Sequence, residues 1–98
     1  MSQPQAQIPE NTVLIGQKPV INYVTAALTQ FERGSKEIVL KARGKSISKA
    51  VDTAEILRRN FVKDLVIKQV RIGTEKFTTQ DNRTRSVSSI EIVLARGQ

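Results

Sequence analysis

The fold is decided by residues 12–34, which read TVLIGQKPVINYVTAALTQFERG. The run from Val13 to Ile15 is short, apolar and rich in β-branched residues, which predicts a buried strand ending at Gly16. Pro19 suits the first turn of a helix, because the N–H that proline lacks would have no partner there. Apolar residues then recur at helical spacing up to a stop at Gly34, at positions Val20, Tyr23, Val24, Ala27, Leu28 and Phe31.

The next segment repeats this order of elements. The run from Ile38 to Leu40 predicts a second buried strand, and the turn Ala-Arg-Gly-Lys follows at residues 42–45. Ser46 is a candidate N-cap for a second helix. The apolar residues of that helix again keep to one face, at positions Ile47, Ala50, Val51, Ala54, Leu57 and Phe61. The order strand–helix–strand–helix implies right-handed crossovers and at least one parallel pair of strands.

Two longer segments with alternating apolar residues predict the last two strands. The first, residues 65–74, places Val66, Val70 and Ile72 on one face. The second, residues 87–95, alternates in the same way. Each strand is therefore expected to present one apolar face to the core.

Between these strands lies a polar stretch, residues 73–86, which reads GTEKFTTQDNRTRS. It has no helical period, and Asp81-Asn82 is a turn signal. The stretch is too polar to pack on a core, so it predicts a β-hairpin arm that projects from the body. At ~3.3 Å per residue, each half of the arm would reach roughly 20 Å.

The predicted fold class is therefore α/β. The predicted architecture is a βαβαββ two-layer sandwich, with two helices on a mixed four-stranded sheet and a protruding β-hairpin arm. Residues 1–11, MSQPQAQIPEN, have little apolar content, and they are expected to form a disordered N-terminal tail. Residues 12–98 are then expected to form a single domain.

The charge balance predicts a polyanionic partner. Sixteen Lys and Arg residues stand against nine Asp and Glu residues, which gives a net charge of +7. Nucleic acid is the favoured partner over an anionic membrane surface, with a merely solvated basic surface as the alternative. No run approaches the ~18 apolar residues of a membrane span, so we expect a cytoplasmic protein without a membrane partner.

The chain contains no cysteine and no histidine. It therefore lacks disulfides, thiolate zinc ligands, a cysteine nucleophile and the usual general base near neutral pH. We expect no enzyme activity, no catalytic residue, no metal and no cofactor. Asp52 and Glu55 are one helical turn apart, but they are interpreted as exposed partners of Lys49 and Arg59 rather than as metal ligands.

Basic residues cluster around the turn before the second helix. Only one acidic residue, Glu37, accompanies the six basic residues of this segment, which are Arg33, Lys36, Lys41, Arg43, Lys45 and Lys49. Basic side chains oppose the macrodipole at a helix N-terminus, so a purely structural sequence would favour an acid there. The pattern predicts a phosphate site, with an ordinary exposed connection as the alternative. In a βαβ unit the turn at residues 16–19 lies at the same edge, which brings Lys18 to this surface.

Two further features have open interpretations. The arm carries Lys76, Arg83 and Arg85, and a thin basic ribbon suits a DNA minor groove, although a mobile loop with scattered charge is equally consistent. Phe61 stands beside Arg59 at the end of the second helix. It either closes the core or forms a point of association.

Three stretches resemble the Alba family of archaeal chromatin proteins. They are VLIGQKPVINYV at residues 13–24, KARGKSISKAVDT at residues 41–53 and SSIEI at residues 88–92. The resemblance covers residues 12–96. It implies the fold of the C-terminal domain of a bacterial translation initiation factor, which agrees with the order of elements above. It also implies a homodimer that coats double-stranded DNA in the nucleoid with little sequence preference, and RNA binding as in many members.

The resemblance also implies roles for individual residues. Contacts of the body with nucleic acid are expected from Gln17, Lys18, Asn22, Arg43, Lys45 and Lys49. Arg83 and Arg85 fall in the minor-groove arm, and Phe61 with Arg59 falls where dimers associate with each other. Gln17 stands where the family often carries a lysine that can be acetylated. The alternative function is that of an RNA-binding accessory protein of translation or RNA processing.

Overall fold

Eight elements follow one another along residues 11–97, the part of the chain that this computed structural model describes. They are β1 (Thr12–Ile15), α1 (Val20–Glu32), β2 (Glu37–Arg43), a 3-10 turn (Gly44–Ser46), α2 (Ile47–Ile56), a π turn (Leu57–Phe61), β3 (Leu65–Thr78) and β4 (Thr84–Arg96). The disordered tail predicted for residues 1–11 lies outside the described residues, except for Asn11. The carbonyl of Asn11 accepts the N–H of Val39 at 2.9 Å.

The four strands form one mixed sheet in the order β1-β2-β4-β3. Strand β1 is parallel to β2, and β4 is antiparallel to both β2 and β3. The two helices pack on one face of this sheet. The predicted α/β architecture of two helices on a mixed four-stranded sheet is confirmed.

The core lies between the helices and strands β1, β2 and β4. Val24, Ile38, Leu40, Leu57 and Leu94 are fully enclosed there. Each such side chain stabilises the fold by about 1.5–3 kcal/mol because it leaves water. All five lie in segments whose apolar pattern predicted a helix or a strand. On α1 the predicted stop is also present, since Gly34 has a φ of +103° that favours glycine.

Strand β3 departs from its predicted alternation. A β-bulge lies between Ile67 and Gln69, so Ile67 pairs with Leu94 while Val70 pairs with Ile92. The extra residue shifts the phase of the strand. Val66 therefore lies on the opposite face from Val70, and the prediction that they share a face is wrong.

Three local predictions about α2 also need correction. Ser46 does not cap the helix with its side chain, because a 3-10 turn precedes α2 and the Ser46 hydroxyl bonds elsewhere. Val51, assigned to the apolar face, is exposed. Lys49 donates to a backbone carbonyl rather than pairing with Asp52.

The hairpin arm is present, and it is a continuation of the sheet. Beyond the bulge, the ladder between β3 and β4 extends without a break from the pair Gln69 and Val93 to the pair Thr78 and Thr84. Within the turn, the Asn82 N–H donates to the Thr79 carbonyl at 2.9 Å. Every residue of the arm apart from Thr79 is exposed, as expected for a projecting ribbon.

Candidate nucleic-acid interface

Two loops meet at the carboxyl ends of the parallel strands β1 and β2. We call them together the loop edge, which comprises residues 16–19 and 43–46. The Ser46 hydroxyl donates to the Gly16 carbonyl at 3.2 Å. The Lys49 ammonium donates to the Lys18 carbonyl at 2.7 Å. The two loops thus hold each other in place, as their position in the βαβ unit predicted.

The side chain of Tyr23, on α1, holds the loop of residues 16–19 by two hydrogen bonds. Its hydroxyl oxygen accepts the N–H of Gly16 at 2.9 Å and the N–H of Lys18 at 3.0 Å. Burial raises the pKa of Tyr23, but the two N–H bonds and the nearby charges of Lys49 and Lys18 outweigh it, so the pKa falls below its usual value. Sequence reasoning assigned Tyr23 only to core packing. A hydroxyl on an otherwise apolar helix face was the available signal.

The second loop presents its cations around a glycine. Gly44 has a φ of +55°, and a Cβ there would lie 3.1 Å from the Cγ2 atom of Val87. Glycine is therefore the residue that lets the chain turn here. Arg43 and Lys45, on either side, are exposed, and no acidic residue lies in the first turn of α2. The loop offers positive charge with nothing local to neutralise Lys45.

Arg43 differs from Lys45 because an acid from the arm reaches it. The Arg43 Nη1 atom lies 3.0 Å from Oε1 of Glu75, and the geometry is that of a hydrogen bond. A pocket of about 530 Å³ on the outer face of the sheet is lined by both residues, by Gln17 and by Ser46. Sequence reasoning did not identify Glu75, since its partner is far away in the chain.

The remaining body residues lie at the start of α1. Gln17 is exposed and lines the pocket beside Arg43. Asn22 is exposed in the first turn of α1, and its backbone N–H donates to the Pro19 carbonyl at 2.9 Å. The structure therefore brings the predicted body residues to one end of the molecule.

The arm residues Arg83 and Arg85 lie on the projecting ribbon rather than on the loop edge. The Arg83 Nε atom is 3.4 Å from Oδ2 of Asp81 in the turn. Arg85 is exposed and pairs across the ladder with Phe77. The predicted nucleic-acid residues thus form two groups, one in the body and one on the arm.

Phe61 is half exposed, with 50% of its surface accessible. Leu57, one turn earlier, is fully buried and is the residue of this turn that packs in the core. Arg59 is exposed, with its Nε atom 3.6 Å from Oε1 of Glu55, which confirms the predicted pair. The interpretation of Phe61 as a core residue is therefore wrong, and its role in association stays a prediction.

Strand β3 carries an exposed apolar surface that the sequence analysis did not predict. Ile67, Val70 and Ile72 lie on the face of the sheet that the helices cover elsewhere, but here they are exposed, Ile72 by 81%. We call these three residues the β3 stripe. Among residues 11–97, strand β3 is also an edge strand, with one side of its backbone unpaired. Exposed apolar residues on an open edge are typical of an association surface.

Two other features are absent from residues 11–97. No cluster of three or more carboxylates in this range is arranged to hold a metal ion. No helix of this range is both long and apolar enough to cross a membrane.

The sequence model of the Alba family matches residues 11–76. The chain is 49% identical over 87 residues to DNA/RNA-binding protein Alba of Methanocella arvoryzae, covering 89% of this chain and 91% of the relative. It is 51% identical over 87 residues to DNA/RNA-binding protein Alba 1 of Archaeoglobus fulgidus, covering 89% and 97%.

The fold is also similar to solved structures of Alba proteins. Alba from Thermoplasma volcanium superposes with a TM-score of 0.82 at 46% identity, covering 88% of this chain and 100% of that chain. ALBA1 from Trypanosoma brucei superposes with a TM-score of 0.72 at 26% identity, covering 94% and 74%. By its sequence and its fold, the chain belongs to the Alba family.

Proposed function

We propose that this chain is an architectural protein that binds nucleic acid through the phosphate backbone and coats double-stranded DNA without sequence specificity. Membership of the Alba family agrees with the expectation that the chain is not an enzyme. The observation that carries the proposal is the loop edge, where Lys49 ties the two loops together and Lys18, Arg43 and Lys45 remain exposed. The names of the two relatives, both DNA/RNA-binding proteins, support it.

The shape of the loop edge favours phosphate contact over base reading. Its exposed cations Lys18, Arg43 and Lys45 stand at the end of a sheet, outside both α-helices, and so not on a helix that could read bases in a major groove. Exposed Lys and Arg side chains on a fixed backbone recognise the regular spacing of phosphates. The arm, a two-stranded ribbon with Arg83 and Arg85, suits insertion into a minor groove.

We also propose that two copies of the chain form a homodimer through the β3 stripe. The stripe exposes three neighbouring apolar side chains, and the same stripe on a second copy would cover them in a self-complementary contact. Dimerisation would place two loop edges and two arms on one particle. Sedimentation of wild type and Ile72→Asp tests it. A monomeric wild type, or a dimer unaffected by the buried charge, would contradict the proposal.

Further association of dimers along DNA would involve Phe61 and Arg59, which are both exposed in the π turn. Such a protein would be found on the chromosome. Phe61→Ala is expected to reduce the cooperativity of binding to long duplexes while leaving stability within ~0.5 kcal/mol, because the side chain is not in the core. A large loss of stability with unchanged cooperativity would rule this role out.

The test of the main proposal is a titration of several duplexes of different sequence at several salt concentrations. Affinity should be nearly equal for all of them and should fall with salt by a slope of about −0.9 per neutralised phosphate. A strong preference for one sequence would contradict backbone recognition. Competition between duplex DNA and a structured RNA at fixed salt decides the alternative, an RNA-binding accessory protein, which the names of the relatives also favour.

A further inference from the structure

We propose that Glu75 restrains nucleic-acid binding by holding the guanidinium of Arg43 in the unbound protein, so that a phosphate must displace this carboxylate to reach Arg43. This inference rests on the proposed function. Glu75, an acidic residue of the arm, would thus weaken the binding of nucleic acid at the loop edge. The contact also links the loop edge to the base of the arm.

The position of Glu75 follows from the register of the sheet. Arg43 pairs with Ser89 of β4, and Ser89 pairs in turn with Gly73 of β3. Glu75 is two residues further along β3 and so lies on the same face of the sheet as Gly73. Ser89 is short and Gly73 has no side chain, so neither blocks the guanidinium from the carboxylate. The resulting distance between Nη1 and Oε1 is 3.0 Å.

Carboxylate and phosphate are alternative partners for one guanidinium. Both present oxygens that match the forked N–H donors of arginine, so they compete for the same geometry. Other cations at the loop edge are in a different position. Within residues 11–97, Lys18 and Lys45 form no ion pair with an acid. Of the exposed basic groups at this edge, Arg43 is therefore the one whose engagement has an acidic competitor.

The pair is weak enough to be displaced. Arg43 and Glu75 have 65% and 51% of their side-chain surfaces exposed, so water screens their attraction. Exposed pairs of this kind change an equilibrium by roughly 1.5- to 5-fold. A multivalent polyanion held by Lys18 and Lys45 can overcome such a competitor. An isolated phosphate has no such additional contacts and would compete poorly.

A double-mutant cycle measures this competition directly. Wild type, Glu75→Gln, Arg43→Ala and the double variant are titrated against one duplex at fixed salt. Glu75→Gln should tighten binding by roughly 2- to 5-fold in the wild-type background. In the Arg43→Ala background the gain should shrink to the small effect of removing one negative charge.

Glu91→Gln is the matched control. Glu91 lines the same pocket, but it pairs with Lys41 at 3.5 Å rather than with Arg43. Its removal changes the net charge equally, and any gain should persist in the Arg43→Ala background. Thermal unfolding of every variant verifies that the fold is intact, and Arg43→Gln can replace Arg43→Ala if the latter does not fold.

The outcomes separate the two proposals. If the wild type binds and Glu75→Gln gives the same gain with and without Arg43, general charge explains the effect and the inference is wrong. If Glu75→Gln gives no gain, the inference is wrong as well, while the proposed function stands. If the wild type binds neither duplex DNA nor RNA, the proposed function itself fails.

Discussion

The loop edge and the hairpin arm carry basic residues in two different ways. At the loop edge, side chains from three separate segments fix the backbone: Tyr23, Ser46 and Lys49 all bond to the first loop. On the arm, the ladder of backbone pairs supplies the shape, and the side chains are exposed. The backbone that carries Lys18 is thus held by side chains from elsewhere in the fold, whereas the arm depends on its own ladder and turn. The loop edge should contribute more affinity per cation.

The largest effect is expected from Arg43→Ala. Loss of one charge-assisted hydrogen bond at an ordered site should weaken binding to every duplex by about tenfold. The salt slope should flatten by roughly one unit. Arg33→Ala is the matched control, because Arg33 follows α1 at the end remote from the loops. A change of preferred sequence in Arg43→Ala, rather than a uniform loss, would contradict backbone recognition.

A smaller effect is expected when Arg83 and Arg85 are both changed to Ala. Since the ribbon that carries these exposed side chains projects from the body, ordering it on binding offsets part of the gain, and the combined loss should be about three- to tenfold despite two charges being removed. Narrow minor grooves attract arginine, so the arm variant should also lose any preference for A·T-rich duplexes. A variant with both Arg33→Ala and Lys63→Ala removes the same number of charges from sites outside both groups. A loss greater than that of Arg43→Ala would reverse the ranking of the two regions.

Much of the fold could be predicted from local patterns. Helical spacing identified the core residues of α1, and the polar stretch with Asp81-Asn82 identified the arm. The bulge in β3 could not be predicted, because an extra residue is visible only once the register with β4 is known. The exposure of Ile72 depends on how far the helices extend over the sheet, which no local pattern of β3 contains.

The sequence predicted which charged residues lie at the site, but not the hydrogen bonds and ion pairs between them. The basic turn and the positions of Lys18 and Arg43 followed from the sequence. Ser46 is a residue typical of an N-cap, but its hydroxyl instead donates a hydrogen bond to the carbonyl of Gly16 on the other loop. Glu75 meets Arg43 across β4, 32 residues away in the chain. Partners that the sheet register brings together are invisible until the topology is fixed.

Tyr23→Phe sharpens the comparison without changing any charge. The substitution removes the acceptor of the Gly16 and Lys18 N–H groups, so the first loop should loosen and duplex affinity should fall by about two- to threefold. The Tyr23 hydroxyl bonds to the first loop and not to the arm, so the loss should be the same in an Arg83→Ala background. An unchanged affinity would show that the hydroxyl does not order the loop for binding.

The same hydroxyl gives a prediction in pH. Tyr23 is the only tyrosine of the chain, so its ultraviolet absorbance titrates one phenol. The folded protein should show a midpoint below the usual value near 10, because the N–H donors and the two lysines favour the phenolate over the opposing effect of burial. The unfolded chain then binds more protons between the folded and unfolded pKa values. Tyr23 ionisation should therefore add to the free energy of unfolding as pH rises through the folded pKa, and nothing at neutral pH.

The smallest effect is expected from Gln17→Lys, which asks whether the loop edge has room for one more phosphate contact. Gln17 is exposed, directly precedes Lys18 and lines the pocket beside Arg43. Glutamine is neutral with an amide at its tip, so it resembles an acetylated lysine, whose charge is removed in the same way. At this position the chain should have no acetylation switch. A lysine should restore the missing charge.

Gln17→Lys should tighten duplex binding by up to about threefold and steepen the salt slope by up to one phosphate per protomer. Stability should stay within ~0.5 kcal/mol, because the residue is exposed and makes no contact with the core. Glu32→Gln, at the far end of α1, raises the net charge by the same amount and should change affinity much less. If both variants give superimposable slopes and affinities, residue 17 adds only general charge. The loop edge would then end at Lys18, and the resemblance of Gln17 to an acetylated lysine would have no consequence for binding.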